Sequence, residues 1–165
     1  ALIDPFVSRW GVPTVVRVEP PEGEPWIGMF AGGGIGWVNQ VFACPRQGDL
    51  GVTADGEVYI VDVLAPERGA QVALDGVRQV TSMAELSLLL LVRDTDIVAL
   101  GPEGVAWRTR RLALDDLRVV CTDAGTIVCS VENLGGSPEI ELDPATGEQT
   151  KGTDWRTIWP PDALA

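Results

Sequence analysis

Leu117–Asn133, LRVVCTDAGTIVCSVEN, decides how the chain is read. Leu117, Val119 and Cys121 alternate with Arg118, Val120 and Thr122. Beyond Gly125, Ile127, Cys129 and Val131 alternate with Thr126, Val128 and Ser130. A period of two belongs to a half-buried strand. Facing residues of an antiparallel pair share a sheet face, so the apolar sets oppose each other. This predicts Cys121 opposite Ile127, Val119 opposite Cys129, and a loop of Asp123, Ala124 and Gly125. Such a loop is a type I turn followed by a left-handed residue, the place given to Gly125.

The construction recurs on either side. Ile97–Leu100 and Val105–Trp107 flank Pro102-Glu103-Gly104, with Leu100 facing Ala106 and Ala99 facing Trp107. Leu50–Thr53 and Glu57–Val63 flank Ala54-Asp55-Gly56. There the register that sets Val52 against Val58 is preferred to a tighter Asp-Gly turn, which sets Val52 against Tyr59. A further hairpin is expected from Glu139–Leu142, turning at Asp143–Gly147 and returning through Glu148–Lys151. Thr14–Val18 and Val38–Cys44 read as strands, with Gly32–Gly34 in the link between them. Ser82 and Glu85 stand in capping-box spacing before Leu86–Leu91. A helix over Ser82–Val92 is slightly preferred to a buried strand, because the run lacks β-branched residues.

The expected fold is mainly β. Antiparallel hairpins and meanders form two packed sheets, sandwich-like or propeller-blade-like, with at most one or two short helices. One domain spans 1–165, ending in a Pro/Trp-containing C-terminal tail from about residue 153. Leu142-Asp143-Pro144-Ala145-Thr146-Gly147 resembles the Leu-Asp-x-x-Thr-Gly turn of pyrroloquinoline-quinone-type propeller blades. The resemblance covers these residues once, and Lys151 stands where that family usually places a tryptophan. It implies a blade-type hairpin turn; no cofactor is carried over.

Composition narrows the chemistry. The chain of 165 residues has a formal net charge of −12, which disfavours nucleic acid and anionic membrane surfaces. An acidic surface serves solubility or a basic protein partner. There is no histidine, so a Ser-His-Asp triad, a Cys-His pair and a His-ligated zinc are excluded within the chain. Three cysteines, Cys44, Cys121 and Cys129, lack metal-type spacing and read as reduced, buried thiols of a cytoplasmic protein. No apolar run is long enough for a membrane helix, and no signal peptide is visible. The sequence begins at Ala1 rather than Met, which is compatible with a cleaved leader.

Several residues invite chemistry. Asp94 and Asp96, two apart, offer carboxylates to a hard cation if they lie in a strand, and otherwise form a solvated turn. Glu139, Glu141 and Asp143 would line one face of one strand, as an acidic partner surface or as a carboxylate pair for hydrolysis. Gly32-Gly33-Gly34-Ile35-Gly36 lacks the residues of a phosphate loop. Of six tryptophans, Trp107 reads as core, while Trp155 and Trp159 either fasten the tail or bind a partner. The reading that follows is a non-catalytic binding or regulatory protein, acting through protein–protein contacts on an acidic β surface, with no cofactor. The alternatives are a carboxylate- or divalent-cation-dependent hydrolase and a carbohydrate-binding module. Oligomeric state is left open.

Overall fold

Short turns divide the chain into strands: β1 (Leu2–Ile3), β2 (Thr14–Val18), β3 (Trp26–Phe30), β4 (Gln40–Ala43), β5 (Asp49–Ala54), β6 (Glu57–Asp62), β7 (Gln71–Leu74), β8 (Val77–Met83), β9 (Leu88–Arg93), β10 (Ile97–Gly101), β11 (Gly104–Arg108), β12 (Asp115–Thr122), β13 (Ile127–Glu132), β14 (Glu139–Leu142) and β15 (Gln149–Lys151). The computed structural model describes residues 2–3, 13–33, 38–68, 71–123, 125–132 and 138–154. Among them the only helices are single 3-10 turns at Pro66–Arg68 and Ala84–Leu86. The fold is mainly β and antiparallel, as expected, and it forms two compact units, Ala1–Arg78 and Gln79–Ala165.

The first unit holds a sheet in the order β1-β3-β2 and the meander β4-β5-β6-β7. Val16, Trp26 and Phe30 from one sheet meet Val52, Ala54, Tyr59 and Val61 from the other. The Phe30 and Tyr59 rings are tilted against each other, centroids 5.3 Å apart. The buried Tyr59 hydroxyl donates to the Ala31 carbonyl at 2.8 Å, so its polar tip is satisfied.

In the second unit the meanders β8-β9-β10-β11 and β12-β13-β14-β15 share one core. Leu90, Val92, Ile97, Ala99 and Trp107 pack with Leu117, Val119, Ile127, Cys129, Ile140 and Leu142. Gln79 ties the two sheets together by backbone mimicry. Its amide nitrogen donates to the Val119 carbonyl at 2.9 Å, and its amide oxygen accepts the Val119 N–H at 3.0 Å.

Several registers follow the sequence reading: Val119 faces Cys129, Ala99 faces Trp107, and β14 returns through β15. Gly56 and Gly104 both take positive φ. Other expectations are corrected. The leucine run is strand β9, and the helix over Ser82–Val92 reduces to the 3-10 turn Ala84–Leu86. Leu89, Leu90, Leu91 and Val92 are all buried, because β9 lies inside its sheet and both of its faces are covered. A strand buried on both faces needs a continuous apolar run, which erases the alternation. The same covering misled the register of β5 and β6. Gly51, Val52, Thr53 and Ala54 are all buried, so matching apolar faces decides little. Val52 faces Tyr59 across the tight turn Asp55-Gly56, whose φ values of +46° and +82° suit a type I′ hairpin. Leu100 faces Val105, not Ala106. Cys121 faces Val128, not Ile127, because a bulge follows Val119. Gly125 does not take the left-handed backbone. Asp123 closes that turn instead, its carboxylate accepting the Gly125 N–H at 2.7 Å.

The structure also exposes an internal repeat. Pro21-Glu22-Gly23 precedes Trp26 as Pro102-Glu103-Gly104 precedes Trp107, 81 positions later. Gly23 and Gly104 have φ of +109° and +115°. Trp26 pairs with Val18 as Trp107 pairs with Ala99. Each buried indole N–H donates to a carbonyl 37 residues further on, Trp26 to Val63 at 3.1 Å and Trp107 to Pro144 at 2.8 Å. At the same interval Val16 matches Ile97, Tyr59 matches Ile140 and Val61 matches Leu142, all buried. The repeat thus matches β2, β3 and β6 of the first unit with β10, β11 and β14 of the second, with β3 the counterpart of β11.

Candidate functional site

Strand β11 ends its sheet, with β10 on one side and no strand on the other among the described residues. Trp107 is buried, and the exposed Arg108 follows it. The Thr109 N–H donates to the Ile97 carbonyl at 2.9 Å, and its hydroxyl accepts the Ile97 N–H at 2.9 Å. The ladder thus continues one residue past β11. Antiparallel pairing alternates its hydrogen bonds, so the N–H and C=O of Arg108 point away from β10. Val105, on the same open strand, is 66% exposed.

A groove of about 420 Å³ runs between this strand end and the β14–β15 turn, lined by Arg108, Thr109, Arg110, Thr146, Glu148 and Gln149. Two guanidinium groups dominate it, and the chain's own carboxylates hold both. Arg108 gives its Nε to Asp96 at 3.0 Å, and Arg110 gives an Nη to Asp154 at 2.8 Å. Their side chains remain 53% and 49% exposed, leaving further donors toward the groove. The turn opposite is fixed too. The Asp143 carboxylate accepts the Ala145 N–H at 2.7 Å, and the Gly147 N–H donates to the Asp143 carbonyl at 2.8 Å. Arg108, Arg110 and Arg111 place three of the chain's twelve basic residues within four positions, so this short stretch is locally basic in a chain of charge −12.

The carboxylates singled out from sequence are distributed differently from the expectation. Asp94 and Asp96 lie in the β9–β10 turn, where strand alternation does not bring them onto one face. Asp96 is buried and accepts a two-pronged bond from Arg93, at 2.9 Å to each oxygen, besides the bond from Arg108. Its charge is thus met by protein cations, and the turn is not a solvated one. No group of three or more Asp, Glu, Cys or His side chains converges among the described residues. Glu139 is exposed, Glu141 pairs with Lys151 at 2.9 Å, and Asp143 caps its own turn. Ile140 and Leu142 point inward as expected, which leaves Glu139 and Glu141 on the outward side of β14, with Glu141 met by Lys151 and Asp143 committed to its own turn.

Trp26 and Trp107 are buried and offer no stacking platform. Trp10, Trp37, Trp155 and Trp159 lie outside the described residues, as do Gly34, Ile35 and Gly36. Gly32 and Gly33 lie against the Asp55 and Glu57 side chains, an acidic setting that repels phosphate. The thiols separate: Cys129 is buried, Cys44 half-buried and Cys121 exposed, the last because the bulge turns it off the buried face. Uniformly buried thiols were the expectation, and only Cys129 meets it in full.

The groove itself went unseen in the sequence. Arg108 and Arg110 stand almost forty residues from Thr146 and Gln149. The recurring Pro-Glu-Gly-x-x-Trp signature was the available signal, since it aligns Ile27 and Met29 with Arg108 and Arg110. No helix among the described residues is long and apolar enough to cross a membrane. No protein family, curated protein or solved structure matches this chain.

Proposed function

We propose that this is a non-catalytic binding or regulatory protein acting through protein–protein contacts, and that the groove beside β11 is its main contact surface. One observation carries the reading: two half-exposed guanidinium groups, each anchored by a carboxylate of the same chain, flank an outward-facing strand edge. Anchoring lowers the entropy lost when a partner's acidic or carbonyl groups engage them. Arginine at a pre-set position is a frequent anchor of protein interfaces. The reading takes the chain to be cytoplasmic, supported by three unbridged thiols. The test is capture from the source organism with wild type and with an Arg108→Gln/Arg110→Gln variant. A partner held by wild type should be lost by the variant; equal retention would overturn the assignment of the surface.

A second reading keeps a basic partner and moves the acidic surface to the β2–β3 loop, where Glu22 and Glu24 are exposed between Pro21 and Pro25. Long-range attraction would then speed association, and salt would slow it. On-rates indifferent to salt for wild type and for Glu22→Gln/Glu24→Gln would eliminate it.

A further inference from the structure

We propose that the open edge of β11 receives an extended acidic segment of a partner protein, which adds to the sheet as a parallel strand beside Arg108 and Thr109. The proposal rests on the groove being the contact surface and states what the partner presents there.

The molecule carries its own precedent. In the first unit β1 lies parallel to β3, with Leu2 opposite Ile27 and Ile3 opposite Gly28. By the repeat, Ile27 and Gly28 correspond to Arg108 and Thr109. The same backbone geometry that takes a strand in the first unit thus stands open in the second, among the described residues. Main-chain hydrogen bonds supply affinity in such strand addition, and side chains alongside supply selectivity.

The side chains differ where selectivity would arise. After the shared tryptophan the first unit reads Ile27-Gly28-Met29-Phe30, and the second reads Arg108-Thr109-Arg110-Arg111. Charged residues on an edge discourage pairing with another strand. Carboxylates on the incoming strand convert that repulsion into attraction, because acids at alternate positions fall on one face, within reach of Arg108 and Arg110. Glu148, across the groove, sets a limit by disfavouring a densely acidic segment that fills the whole cleft. Valine at the intervening positions gives the segment its preference for an extended strand.

The probe is a blocked peptide of five Glu-Val repeats, titrated calorimetrically into the full chain at low salt. It should bind, bind at least about tenfold more weakly to Arg108→Gln/Arg110→Gln, and protect the Arg108 amide from hydrogen exchange. Arg110→Gln alone, which leaves the Asp96 cluster intact, should weaken binding in the same direction. The same peptide N-methylated at alternate residues keeps its charge but loses backbone donors, and should not bind. Equal binding of the methylated peptide would overturn strand addition while leaving the groove as the contact surface. No binding of the parent peptide, or equal binding to the double variant, would overturn the acidic-segment proposal. A captured partner still lost by that variant would leave the contact surface standing. Dimerisation of the chain through β11 would assign the edge to a second copy and overturn the proposal as well.

Discussion

The Trp107 indole lies flat against Gly147, so closely that a Cβ at position 147 would come within 2.5 Å of the ring carbon Cε3. Gly147 also has φ of +71°, a conformation that L side chains resist. Gly147→Ala therefore combines a backbone penalty with a clash against a buried ring. It should cost about 3 kcal/mol, the range of an overpacked core plus a left-handed residue. Gly76→Ala is the control, with a matching φ of +67° and nothing near its Cβ, and should cost only about 1 kcal/mol. Denaturant midpoints of the two variants check this; equal losses would show that the ring contact does not matter.

Trp107→Phe keeps the aromatic packing and removes the N–H that satisfies the Pro144 carbonyl. Leaving a buried acceptor unpaired should cost about 1–3 kcal/mol. Trp26→Phe makes the same deletion at Val63 in a part-buried setting, where water can substitute. Its loss should be smaller, measured by the same unfolding titration. A larger loss at Trp26 would contradict the ranking.

Thiol chemistry should resolve the three cysteines in order. Burial pushes the Cys129 thiol up to about 12, and burial together with the neighbouring Asp49 pushes Cys44 up to about 11. The thiolate is the reactive form, so both are protected near neutral pH. Cys121 is exposed and should label first with a disulfide reagent. Cys44 should follow slowly, and Cys129 should react only on unfolding. Mass spectrometry of a partly labelled sample reads the order directly, and early labelling of Cys129 would contradict the packing.

Glu57 gives the chain a testable pH dependence. Burial, and then the charge of Asp75, raise its pKa above the usual carboxylate range. A raised folded-state pKa means that the folded chain binds the proton more tightly than the unfolded chain. This contribution is therefore present below the unfolded value and lost as pH rises through the raised one. Above it the ionised carboxylate is a constant cost. Glu57→Gln should stabilise the protein at about pH 7, by no more than about 1 kcal/mol for a group this exposed, and the gain should vanish in acid. Urea midpoints across a pH series measure it, and a gain that grows toward acid would reverse the assignment.

What the sequence revealed and concealed follows from how each strand is covered. β12 and β13 alternate cleanly, and the Val119–Cys129 pairing could be read from them. β9 has neighbours on both sides and both faces covered, so its leucines carried no period from which a strand could be told from a helix. The bulge at Cys121 depends on backbone detail that no residue type announces. Asp96 looked like half of a cation site because the sequence does not show that Arg93 and Arg108 converge on it. The groove needed the β11 end and the β14–β15 turn brought together, and only the folded chain does that.

The meander order of the second unit has a consequence during synthesis. Each strand of β8 to β11 pairs with the one made just before it, so every contact within that sheet is local in sequence. The aggregation hazard in this unit is Leu88–Val92, an apolar run bare on its second edge until β10 follows. Only Arg93 and the short turn to Ile97 separate the two strands, so a ribosome exposes that edge only briefly. A chain diluted whole from denaturant has no such schedule. Its yield on refolding should fall with protein concentration more steeply than the yield of the same chain folding as it is made.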